Sequence, residues 1–197
     1  MPKIDAPTLA EHHTRRRGDI LRTATRLLRE GGVSAVTPAA VAAGAGLARS
    51  SVYQYYASTG ALVGAAYEEM FAEALKAVRA AVAVPGGPAE EVLAYLDAAV
   101  ELAEDGHAPM PVDQGRMEMP PECIRRVGEL HRELVEPLTG ALARAGVGDP
   151  VGVAELLNAV AGAAAAQRQR GESADSVRVR LHRFVRAALT LGEAPSA

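Results

Sequence analysis

Arg49, Ser50, Ser51, Gln54 and Tyr55 fall within a span of seven residues, and their side chains suit one kind of chemistry. Arginine makes two parallel hydrogen bonds to the edge of guanine and glutamine to that of adenine. Serine and tyrosine hydroxyls donate to phosphate oxygens. Upstream, Thr37-Pro38 forms a helix start, where free backbone N–H groups and a threonine hydroxyl suit a phosphate. Such groups work only when a rigid support presents them together, so the neighbouring residues must supply that support.

The neighbours do so by their spacing. Ile20, Ala24, Leu27 and Leu28 recur at i, i+4, i+7 and i+8, the apolar face of a helix, and Gly31-Gly32 ends it. Thr37 caps a second helix with Pro38 at its first position, and Val41 and Ala42 face inward. Ala45 and Gly46 allow a sharp turn. A third helix is predicted from Arg49 to Tyr55, exposing Arg49, Ser50, Ser51, Gln54 and Tyr55. Val52 and Tyr56 share its inner face and Tyr53 lies between the faces. A fourth helix starts at Ser58 or Gly60. Two short helices joined by a tight turn place the second in a DNA major groove.

The pattern Thr37-x3-Val41-Ala42-x2-Ala45-Gly46-Leu47-x3-Ser51-Val52-Tyr53-x-Tyr55-Tyr56-x-Ser58-x3-Leu62 resembles the DNA-binding domain of the TetR family of repressors. The resemblance implies an all-helical homodimer. Each subunit has a three-helix DNA-binding head and a larger helical body, and a small molecule in the body alters the spacing of the heads and releases DNA. On that reading the DNA-binding residues are Thr37, Arg49, Ser50, Ser51, Tyr53, Gln54, Tyr55 and Thr59. The chain departs from the family pattern at Ala48, where a capping serine is usual, and at Ser50, where a smaller residue is usual. Thr59 replaces a usual phosphate-binding lysine with a neutral hydroxyl, and Gly60 replaces a common acidic residue.

Net charge is −3, but it is unevenly distributed. Residues 1–64 carry eight basic and four acidic side chains, a net of +4, and the remainder carries 13 basic and 20 acidic, a net of −7. A basic head on an acidic body presents one end to phosphates. No apolar run reaches the ~18 residues of a membrane span, and Met1–Asp5 has no apolar leader core, so a cytoplasmic protein without a membrane partner is expected. Cys123 is the sole cysteine, which excludes an intrachain disulfide. His12-His13 lies in a segment, 1–13, read as a mobile arm with Arg15-Arg16-Arg17 at its junction. It lacks a ligand cluster, so no metal site is expected. Gly44-Ala45-Gly46 lacks the third glycine and preceding strand of a dinucleotide loop, and no cofactor is expected.

The remaining chain is helical by pattern, giving an all-α class of about nine helices. A head and arm at 1–60 precede a ligand-binding and dimerisation body at 61–197. Helices are expected from 58–60 to Val84, from Pro88 to Glu104 and from Pro121 to Pro137, where proline ends or kinks the helix before it resumes through Leu142. Residues 105–120 read as a loop. A helix from Asp149-Pro150 to Arg170 contains the small run Ala161–Ala166. The last helix carries Val177, Leu181, Phe184, Val185, Ala188 and Leu189 on one face. By the resemblance, the last two helices pair with a second copy, and residues Ala159–Ala166 allow close approach.

Within the body, Tyr67, Phe71, Tyr95, Met110, Arg116, Met117, Met119 and Cys123 are the candidate ligand-lining residues, with His107 as a further polar group. With no tryptophan and 4% aromatics, a small aliphatic or mixed effector is favoured over a flat stacked one. No catalytic residues are assigned, because no Ser–His–Asp or paired-carboxylate arrangement stands out. Two rivals follow. A helical enzyme would need a convergent polar pocket and measurable turnover, and a regulator without an effector would have a body lacking a cavity.

Overall fold

The computed structural model describes residues 9–83, 86–106 and 121–191, and their regular structure is entirely helical. Eight helices occur among the described residues: α1 (Leu9–Ala35), α2 (Pro38–Gly44), α3 (Arg49–Val52), α4 (Thr59–Val82), α5 (Pro88–Glu104), α6 (Pro121–Arg144), α7 (Pro150–Gln169) and α8 (Ala174–Leu191). The described parts of Met1–Met70 and Pro111–Val127 form one compact unit. Those of Phe71–Met110 and Gly128–Ala197 form a second.

In the first unit, Ile20, Ala24 and Leu28 of α1 are buried, as are Val41, Ala42, Val52, Tyr56, Leu62 and Val63, all under a tenth exposed, and α2 packs on both α1 and α3. Gly32 ends the regular part of α1 as expected, because it takes φ 68°, a left-handed value that suits a residue without Cβ. The start of α1 differs from expectation. The helix begins at Leu9, so His12 and His13 belong to it rather than to a mobile arm.

In the second unit, α5 packs on α7 and α8. Its inner face holds Val92, Leu93, Leu96 and Val100, as the spacing predicts, together with Tyr95 and Ala98. Leu102, expected on this face, is half-buried. Glu91 pairs with Arg144 of α6, and Asp97 meets His182 of α8 at 2.8 Å.

Pro137 does not end its helix: α6 runs unbroken to Arg144. The energetic balance explains the difference. An internal proline costs about 3 kcal/mol. Beyond it, Leu138 and Leu142 are wholly buried and each contributes roughly 1.5–3 kcal/mol, with Ala141 adding more. Burial at least offsets the lost hydrogen bond, so α6 continues as one helix across the proline.

The last helix also divides differently. Val177, Leu181 and Val185 are buried at i, i+4 and i+8, but Phe184 is 54% exposed and Ala188 points outward. The apolar residues therefore form two faces rather than one. The small run of α7 splits likewise: Ala161, Ala164 and Ala165 are buried, whereas Ala159, Gly162 and Ala163 are exposed.

His131 of α6 lies half-buried with its ring edge-on to Phe71, centroids 6.3 Å apart. Burial lowers its pKa below the ordinary imidazole value. The unfolded chain therefore binds this proton more readily, and the site contributes stability above about pH 6.5 that falls away under acid. The melting temperature should drop between pH 7.5 and 5.5 by less in His131→Gln than in the parent. Equal slopes would remove His131 from the pH dependence.

Candidate nucleic-acid interface

The candidate interface is built from α2, α3 and the turn after each. Thr37 caps α2 from extended backbone, φ −103° and ψ 148°, and its Oγ1 accepts the N–H of Ala40 at 3.1 Å. The residue is exposed, so its hydroxyl proton remains available. At the other end of α2, Gly46 takes φ 66° and Leu47 N–H donates to Ala42 at 2.8 Å, turning the chain into α3. Gly44 permits the close approach of α1 and α2, since a Cβ there would lie 2.6 Å from Thr23 Cγ2.

Helix α3 is shorter than its pattern predicts. It spans Arg49–Val52, and Tyr53–Tyr55 continue as a turn. The N–H groups of Tyr55 and Tyr56 both point to the Val52 carbonyl at 3.1 Å, and that of Gln54 to Ser51 at 3.2 Å. Arg49, Ser50, Tyr53 and Gln54 are exposed, as a reading face requires, and Ser51 and Tyr55 are half-buried. Val52 and Tyr56, at 2% and 7% exposure, anchor the opposite face as their spacing predicts. Thr59 opens α4, half-buried, one residue after Ser58, whose Oγ accepts the Ala61 N–H at 3.0 Å.

Two contacts were not legible in the sequence. The His13 ring stacks on Tyr55 with centroids 4.7 Å apart and planes tilted 34°. One turn along α1, the Arg17 guanidinium lies 5.7 Å from the centre of the Tyr56 ring. Their i, i+4 spacing was the only available signal, and it straddled the junction between the segment read as an arm, 1–13, and the first helix.

Ala48 precedes α3 with φ −73° and ψ 147°, the backbone of a capping residue, yet supplies no side-chain cap. Ala48→Ser should stabilise the fold by about 0.5–1 kcal/mol, since serine can accept one of the open N–H groups. A thermal melt reads the change. An unaltered midpoint would show that water already satisfies this helix start.

The candidate ligand-lining residues fall in different places. Tyr67 is buried in the first unit. Cys123, half-buried there, lies against Gly64, where a Cβ would be 2.6 Å from its Sγ. Burial pushes the Tyr67 hydroxyl and the Cys123 thiol up. Phe71 and Tyr95 are buried in the second unit. The Tyr95 hydroxyl donates to Asn158 Oδ1 at 3.3 Å, and burial pushes its pKa to about 12, so it is a neutral donor. Met110, Arg116, Met117, Met119 and His107 lie outside the described residues.

The second unit has a cleft of about 180 Å³ lined by Asp97, Glu101, Glu104 and Arg168 among others, with Arg168 bonded to Glu104 at 2.7 Å. It also has an apolar groove of about 630 Å³ bounded by Leu156, Leu157, Val160, Phe184 and Ala188. Neither includes a candidate ligand residue. Among the described residues no group of three or more His, Cys, Asp or Glu could hold a metal, and no helix is long and apolar enough to cross a membrane.

Comparison with known proteins agrees with this architecture. Residues 20–66 match the family model of bacterial regulatory proteins, tetR family. A TetR-family transcriptional regulator from Streptomyces coelicolor, SCO4454, is similar with 20% identity and a TM-score of 0.73, over 92% of this chain and 97% of its own. A TetR/AcrR-family regulator from Thermobifida fusca is 25% identical with a TM-score of 0.61, over 87% and 96%. The superantigen PfiT shares the fold at 20% identity and a TM-score of 0.68, over 89% and 95%, so the fold alone does not settle function. No curated protein matches the chain by sequence. Residues 20–66 therefore carry a helix-turn-helix that matches the tetR family model, on a fold shared with solved TetR-family regulators.

Proposed function

We propose that the protein is a homodimeric repressor that binds a two-fold-related DNA operator and releases it when a small molecule occupies the body. The observation that supports it most is the outward presentation of Arg49, Ser50 and Gln54, directly beyond a Thr37-capped helix, over a buried Val52–Tyr56 anchor. Arg49 and Gln54 read base edges. Thr37, Ser50, Ser51, Tyr53, Tyr55 and Thr59 hold the phosphate backbone. The reading head is assigned to residues 1–60 and the effector and dimer functions to 61–197, in the cytoplasm.

The second copy docks on α7 and α8, where Val151, Leu156, Val179 and Phe184 are more than half exposed. Such apolar exposure suits an isologous four-helix contact. The effector is a small aliphatic or mixed molecule held by the body, with Tyr67, Phe71, Tyr95, Met110, Arg116, Met117, Met119 and Cys123 as its candidate contacts. Helix α4, Thr59–Val82, runs on from the end of the head into the body and gives the body a covalent path to it.

Selection from random duplexes tests the reading. The expected outcome is a palindromic or near-palindromic sequence whose affinity falls steeply with salt, as phosphate contacts release counterions. Recovery of no two-fold-related sequence would refute it. An effector must also lose affinity when operator is bound, by the same factor that it weakens DNA binding. A body ligand that leaves DNA affinity unchanged at saturation would favour a regulator without an effector.

A further inference from the structure

The reading residues beyond Val52 have little support of their own. Regular helix covers only Arg49–Val52, far too short to persist alone, and Tyr55 and Tyr56 share one carbonyl acceptor. Gln54 and Tyr55 nevertheless need a fixed direction to meet a base edge or a phosphate. What lies over this turn is the first part of α1. His13 stacks on Tyr55 at 4.7 Å, and Arg17 covers the Tyr56 ring at 5.7 Å. His13 and Arg17 are four residues apart and so share a face of α1, and the two rings they cover are adjacent in sequence. Aromatic stacking and a cation over a ring each favour a defined geometry.

We propose that His13 and Arg17 are positioning residues for DNA recognition: through the Tyr55 and Tyr56 rings they clamp the Tyr53–Tyr56 turn and set the direction of Gln54 and Tyr55. The clamp makes the start of α1 part of the reading apparatus without requiring it to touch DNA. Tyr56 is anchored by burial, and among the described residues its phenolic oxygen is enclosed without a hydrogen-bond partner. The ring is therefore held by packing, and the cover supplied by Arg17 is one of the contacts that fix it. Tyr55 is only half-buried and depends more on His13.

This inference rests on the proposed DNA reading, so its test has one arm with DNA and one without. His13→Ala should weaken binding to the selected operator by about 3- to 10-fold, the scale of one aromatic contact. The dependence of log affinity on log salt should keep its slope. His13→Phe should restore affinity, because it keeps a ring and no charge. A loss that Phe does not rescue, or a slope reduced by about one, would instead make His13 a direct phosphate contact and overturn the clamp. Without DNA, hydrogen exchange at the Tyr55 and Tyr56 amides should be faster in His13→Ala than in the parent and return in His13→Phe. Unchanged exchange would also overturn the clamp. If the parent selects no duplex, the DNA reading fails while the exchange arm still decides whether the turn is clamped. His13 is exposed, so the variants should melt with the parent.

Discussion

Leu156→Glu combined with Phe184→Glu should yield a monomer that binds operator on the order of 100-fold more weakly, the avidity lost when one of two linked modules is removed. Both side chains are large, apolar and exposed at 68% and 54%, and both border the 630 Å³ groove on α7 and α8. Burying each against a second copy contributes roughly 1.5–3 kcal/mol, and a buried unpaired carboxylate costs more than that contribution. Neither residue belongs to the inner stripes, which are Ala154, Leu157, Ala161 and Ala164 on α7 and Val177, Leu181 and Val185 on α8. The subunit should therefore keep its fold. Sedimentation gives the mass and anisotropy gives the affinity. A double variant that remains dimeric would move the interface off these helices.

The division between inner and outer faces also shows where sequence spacing stops being informative. Val52 with Tyr56, and Ile20 with Ala24 and Leu28, were correctly placed inside because a single apolar stripe has only one core to face. On α7 and α8 two apolar stripes run side by side, and periodicity cannot say which faces the subunit and which faces outward. That depends on α5, which is distant in sequence. Pro137 illustrates a second limit. Its local cost was legible, but the full burial of Leu138 and Leu142 that outweighs it was not. The end of α3 is a third. Helical spacing from Arg49 to Tyr56 holds for a four-residue helix followed by a tight turn as well as for two full turns. The His13–Tyr55 contact, 42 positions apart in the chain, left no local trace.

At the candidate interface, the cap at Thr37, the turn at Gly46 and the exposure of Arg49 and Gln54 were all readable, because each is set by a residue's own backbone or polarity. Which of them touches a base is a separate question, and substitution answers it. Arg49→Ala and Gln54→Ala should each reduce operator affinity by about 5- to 150-fold, equivalent to about 1–3 kcal/mol, and relax preference at one position in each half-site. Among the described residues neither side chain is committed to an intramolecular hydrogen bond, so its removal leaves no buried partner unpaired and the head should melt unchanged. The comparison with Tyr55→Phe separates the two kinds of contact. Loss of a phosphate hydroxyl weakens every sequence alike and leaves the selected motif intact, whereas loss of a base reader alters the motif itself. Selection repeated with each variant distinguishes them. If Arg49→Ala and Gln54→Ala both return the parental motif at uniformly lower affinity, the reading is carried elsewhere and these residues belong with the backbone contacts.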